Sequence, residues 1–277
     1  MSSFASWNIT GDLAYMCNTQ GINILLNLFF GPVVNAARGV AVQVESVMMQ
    51  FIGNFQTAIS PQITKSYAAG NIDQTRNLTL KASKFCFFLM MIIAIPTFLE
   101  IEYVLKLWLQ NIPAYTVIFT KLTIVMIIFD CLSRPLHLAI FATGTVKKYQ
   151  IIQSSIYLLI LPLSYILLKK LHVTPNVIIG ILVLFKFIVL TVRIKLTSTL
   201  IEIPINTYVK NVLVPSVQCL LLALILPLAI TLSYPTSLTR VCFTCSMSLL
   251  SSTIIIYTCG LTYDEKQFIK NQIHKIA

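Results

Sequence analysis

NTQGINILLNLFFGPVVNAARGVAVQVE, residues 18–45, decides how this chain is read. Asn18, Gln20, Asn23, Asn27, Asn35, Arg38, Gln43 and Glu45 are threaded here through otherwise apolar sequence. Gln20, Asn23 and Asn27 fall at i, i+3 and i+7, one face of a helix, and Arg38 and Glu45, seven apart, share a face of the next. Gly31-Pro32 breaks the chain between them, so the spacing predicts a helical hairpin. In hydrocarbon an unpaired amide costs several kcal/mol, and a charge at mid-depth costs about 2.5 to 3.5 kcal/mol on insertion scales. These faces are therefore expected to line a cavity or meet partners.

The surrounding sequence explains why the solvent is taken to be lipid. Of 277 residues, 57% are hydrophobic and only 10% charged, and the mean hydropathy is +0.83. That is too apolar for a wettable globule. A crossing needs about 20 mostly apolar residues, and eight segments meet this: 7–30, 33–62, 79–99, 117–142, 149–168, 175–192, 211–232 and 238–261. The expected fold is all-α, a polytopic membrane protein of about eight transmembrane helices. Residues 1–200 read as a six-helix lobe; residues 201–277 read as two plainer helices and an amphipathic cytoplasmic tail.

Lys and Arg outnumber Asp and Glu 20 to 9. In a membrane chain that excess reports topology rather than nucleic-acid binding. Loops 65–84, 144–150, 193–210 and 262–277 hold twelve basic residues; the alternate loops hold only Lys106, Lys169, Lys170 and Arg240. The positive-inside rule makes the first set cytoplasmic, and eight crossings place both termini there too. Lys106 and Trp108 suggest a short interfacial segment in an outer loop spanning 100–116. Ile269, Ile273 and Ile276 opposite Lys266, Lys270 and His274 suggest an interfacial tail. No basic residue precedes Arg38, so the N-terminus lacks both a signal-peptide n-region and the usual orienting charges.

The fourth segment carries Asp130, Arg134 and His137 at i, i+4 and i+7 beside Pro135, with Asp130 about 20 Å from the outer boundary. Asp130 and Arg134 form either a structural pair or part of an ion-coupling or substrate site, in which Glu45 and His137 would join them. Arg38, about 8 Å below the outer boundary, either snorkels or binds an anion, for which a planar guanidinium suits phosphate. Gln43, Gln50, Asn54 and Thr57 make a polar row able to bind sugar hydroxyls or to glue helices together. Lys186 is expected to snorkel to the inner boundary. Seven cysteines lie in apolar segments without a loop pattern, and the Cys242/Cys245 pair lacks a second pair or a His cluster, so neither disulfide framework nor metal is expected. G-x-S-x-G, H-E-x-x-H, Walker and G-x-G-x-x-G motifs are absent from the sequence. No cofactor and no enzymatic activity are expected.

GINILLNLFFGPVVNAARGVA (21–41) and NFQTAISPQITKSYA (54–68) resemble bacterial polysaccharide flippases, the O-antigen and capsule exporters of the MATE-like multidrug/oligosaccharidyl-lipid/polysaccharide transporter superfamily. The resemblance is close over about residues 5–80 and extends in helix count and loop placement beyond. It implies two six-helix lobes around a cavity, often with two further helices, working by alternating access in the inner membrane. The implied substrate is a polyprenyl-pyrophosphate-linked oligosaccharide of lipopolysaccharide or capsule assembly. Asn23, Asn27, Asn35 and Arg38 are the positions it carries over to the cavity; Gln43, Gln50 and Asn54 join them as candidate substrate contacts. The chain starts where the second lobe of such proteins starts. The expectation is therefore a partial chain, completed by an N-terminal lobe or second chain, or else an inactive fragment. A membrane polymerase or ligase of glycan assembly is the alternative from another class, and it would want convergent polar residues in the 100–116 loop.

Overall fold

The computed structural model describes residues 2–263, 265–267 and 270, and of residues 2–5 the backbone alone. They form long helices joined by short turns: α1 Ser2–Phe30, α2 Pro32–Ala68, α3 Ile72–Trp108, α4 Thr116–Ala142, α5 Lys147–Leu171 and α6 Pro175–Leu200, then α7 Ile205–Ser233 and α8 Leu238–Gly260. The hairpin break lies where Gly31 takes φ 80°, a left-handed value open to glycine, and Pro32 starts the next helix with its ring already at a helical φ. α7 passes through a π-helical turn at Val209–Leu213, and α8 ends in another at Ile256–Gly260.

α4 is the centre, packed against α2, α3 and α6. α1 lies on α5 and α2, and α5 reaches α6, so α1, α2, α4, α6 and α5 close a ring. Leu26, Ala37, Phe119 and Ile178, all fully buried, belong to the core of that ring. α3 lies outside it against α2 and α4 and carries α7 and α8, with Phe87, Phe88, Tyr208 and Cys219 between them.

Among the described residues six helices, α3 to α8, are long and apolar enough to cross a membrane. The chain is thus an all-helical, multi-pass membrane protein. α1 and α2 have ample length, but the amides and charges of residues 18–45 dilute their apolarity.

Several expected boundaries move, for one reason: charged residues at a helix end continue the helix. α3 runs to Trp108, so the 100–116 loop contracts to 109–115, and Lys106 and Trp108 lie in the last turn of α3 rather than in a separate loop segment. α6 runs to Leu200, which takes Arg193 out of the predicted 193–210 loop and buries it. The tail stripe of Ile269, Ile273, Ile276 and His274 lies outside the described residues. One end of the bundle collects Trp7 with the 144–151 turn, Arg76 with Glu202, and Lys84 with Glu265. The other collects Phe29 with Tyr165 and Glu100 with Arg240.

Candidate functional site

Inside the ring lies a cavity of about 240 Å³ to which all five helices contribute. Its charged lining is Arg38 and Glu45 of α2, Arg134 of α4 and Lys186 of α6. The seven-residue spacing of Arg38 and Glu45 puts both on the inner face of α2. Tyr15, Asn18 and Thr19 of α1, Ser46 of α2 and Tyr157 of α5 complete the polar part of the wall, and the Asn18 amide donates to the Tyr157 carbonyl oxygen at 2.9 Å, tying α1 to α5.

Asp130 accepts from Lys186 Nζ at 2.6 Å across the α4–α6 contact. The pair expected along α4, Asp130 with Arg134, is not the one formed: Arg134 points away, exposed, onto the cavity. Nor does Lys186 snorkel, because a carboxylate within reach is a better partner than a distant interface. Its Nζ also sits 5.9 Å from the Tyr15 ring centroid. The cavity and its pair thus hold three cations against two carboxylates. Arg38 is 7% exposed, makes one long hydrogen bond to Thr123 Oγ1 at 3.4 Å, and leaves Nε without a partner. A guanidinium so buried and so poorly paired keeps donor capacity unused by the described residues.

His137, expected beside Asp130 in an ion-coupling stripe, belongs elsewhere. Its Nδ1 is 2.8 Å from the Tyr149 hydroxyl. That hydroxyl accepts from Arg193 Nε at 3.0 Å, and the same guanidinium donates to Ser133 Oγ at 2.8 Å and to Gln153 Oε1 at 3.3 Å. This is a buried clamp joining α4, α5 and α6.

The amides divide as well. Asn23 and Asn35 are half-buried, with Asn23 Oδ1 buried and unpartnered, and neither lines the cavity. Asn27, Gln43, Gln50 and Asn54 are exposed on the outer faces of α1 and α2. Ser46, exposed and at the cavity edge, lies between Gln43 and Gln50 on one helical face, so the cavity mouth and the amide row adjoin.

Sequence reasoning missed Lys186 and Arg193 as members of this interior. The available signal was their i, i+7 spacing within an apolar helix, two cations on one face that need partners. Among the described residues no three His, Cys, Asp or Glu side chains gather as metal ligands. Set against protein families, curated proteins and solved structures, the chain matches none.

Proposed function

We propose that this chain is one lobe of a flippase that moves a polyprenyl-pyrophosphate-linked oligosaccharide across the bacterial inner membrane by alternating access. The observation that carries the reading is Arg38: a buried guanidinium with Nε unpaired, facing a cavity that Arg134 and Lys186 also line. Cations in excess of carboxylates around the cavity favour an anionic group, and planar guanidinium suits the oxygens of a diphosphate. At about 240 Å³ the cavity suits a diphosphate but not a chain of sugars. The sugars would lie along the adjoining amides Gln43, Gln50 and Asn54, with the prenyl tail in lipid.

Those exposed amides also give the ring an open polar side. A second lobe or second chain would cover it and make the other wall of the pathway, which is what the resemblance of residues 21–41 and 54–68 to two-lobed exporters implies. Asp130 is the coupling candidate: protonation would release Lys186 to the cavity and change its charge between the two states. With α1 and α2 also crossing, eight crossings put both termini in the cytoplasm. The polymerase or ligase alternative gains no support, since Glu100 is engaged by Arg240 and Glu102 by Lys106.

The test is flipping of a polyprenyl-pyrophosphate oligosaccharide in vesicles holding the completed assembly. Arg38→Ala removes a charge-assisted contact worth about 1.5 to 3 kcal/mol, so it should weaken substrate binding roughly 10- to 150-fold. Asp130→Asn should bind substrate yet fail to turn over. Undiminished flipping in both variants removes the assignment.

A further inference from the structure

A second recess, of about 350 Å³, lies at the opposite side of α3 from the ring, between α3, α7 and the chain after α8. Lys81 and Lys84 of α3 and Lys210 of α7 line it, with Glu265 as its carboxylate. Lys84 is 4% exposed and is neutralised: its Nζ donates to Glu265 at 2.6 Å, and the same carboxylate oxygen accepts from the Thr262 backbone N–H at 2.8 Å. Lys81, half-buried, and Lys210, exposed, have no hydrogen-bond or ion-pair partner among the described residues. Among the described residues, two ammonium groups without a paired carboxylate thus line one concavity, which favours an anion there.

The backbone around this recess is shaped rather than incidental. Two π-helical turns, 209–213 and 256–260, border it, and such turns concentrate at functional sites. The first presents Lys210 and Asn211 to the recess. The second brings Gly260 so close to α3 that a Cβ there would lie 2.7 Å from Phe88 Cζ.

Its depth identifies the ligand class. Lys84 is the last charge on α3 before the uncharged run Phe85–Leu99, and Lys210 is the last on α7 before an uncharged run to Ser233. The recess therefore lies where hydrocarbon gives way to headgroups, at the basic end of the bundle. From Lys210 the same face of α7 continues as Val214, Val217 and Leu221, exposed by 42%, 49% and 62%. A cationic socket with an apolar stripe leading from it into the bilayer matches a phosphate that carries acyl chains.

We infer that the recess between α3, α7 and residues 260–262 and 265 binds the phosphate of an anionic phospholipid, with Lys81 and Lys210 holding the phosphate and the acyl chains lying on Val214, Val217 and Leu221. Lys84 and Glu265 remain paired and fix the floor of the socket. The inference is independent of what the central cavity carries.

Native mass spectrometry of the full chain, released from detergent with phosphatidylglycerol or phosphatidylcholine, reads it. Phosphatidylglycerol should be retained roughly tenfold or more over phosphatidylcholine. Lys81→Gln/Lys210→Gln should abolish that preference; Lys81→Arg/Lys210→Arg should keep it, as should Lys169→Gln/Lys170→Gln at the opposite end. Thermal denaturation of the unaltered chain gives a second reading that needs no variant: phosphatidylglycerol should raise Tm above phosphatidylcholine. Equal retention of the two lipids with equal Tm, or a preference untouched by the glutamine pair, overturns the proposal. Displacement of phosphatidylglycerol by millimolar inorganic phosphate, sensitive to the same pair, assigns the recess to a soluble phosphate and overturns it equally.

Discussion

The Asp130–Lys186 pair shows what a single side chain decides in this interior. Both members are nearly out of solvent, with side chains 10% and 16% exposed, so their attraction offsets a large desolvation cost only while both are present. Lys186→Met should therefore lower stability by about 3 to 5 kcal/mol, seen as a fall in Tm in detergent. Asp130→Leu/Lys186→Met together should recover most of it, and a double variant no better than the single would mean the two groups do not depend on each other. The presence of charges in the interior was legible in the sequence, since Asp130 and Arg38, both buried, and the half-buried Glu45 interrupt membrane-length segments. Their partners were not, because helical periodicity places a residue on a face of its own helix and is silent about which helix lies opposite. So Asp130 was matched to Arg134 on its own stripe and His137 to both, while the structure takes Asp130 to α6 and His137 to the Tyr149–Arg193 clamp.

At the scale of the element, α3 holds α8 by two brackets. Lys84 binds Glu265 just past the end of α8, and Glu100 binds Arg240 Nη2 at 2.7 Å near its start, sixteen residues or about 24 Å apart along α3. The other neighbour of α8 is α7, to which the Ser251 hydroxyl donates at the Ala223 carbonyl oxygen at 3.2 Å, and most of the surface of α8 stays exposed. Glu100→Gln takes the carboxylate from a guanidinium that keeps the Thr231 and Tyr234 carbonyl oxygens as acceptors, and should cost about 1 to 3 kcal/mol. The readout is a disulfide engineered between α3 and α8, which should form more slowly in the variant; unchanged rates would show that packing alone seats α8. Helix existence was read from apolar runs and turn chemistry: Gly31-Pro32, Gly70-Asn71 and Thr174-Pro175 end or start helices where their dihedral preferences require. Helix length was not, because hydropathy marks the part of a helix that lies in lipid, and α2 and α3 extend well beyond it.

On the scale of the whole molecule, alternate turns lie at alternate ends, and the basic residues crowd one of them. Single cysteines at Thr145 and Lys169, in a chain otherwise free of cysteine, check the orientation. An impermeant maleimide should reach position 169 in right-side-out vesicles and position 145 only in inverted ones; the reverse would turn the bundle over. What was legible at this scale was the solvent and the polar hairpin at 18–45. The ring of five helices around a cavity, with α3, α7 and α8 outside it, follows from packing partners that one sequence does not reveal. α3 is 37 residues long, about 55 Å, and its start at Ile72 stands about 18 Å beyond Lys84, the last charge before its hydrocarbon run. The exposed tip at Gly70, with open space around it, is therefore a mast clear of the bilayer. A rigid soluble domain spliced there between α2 and α3 would ride on two continuous helices and give so small a bundle the visible landmark that single-particle imaging needs.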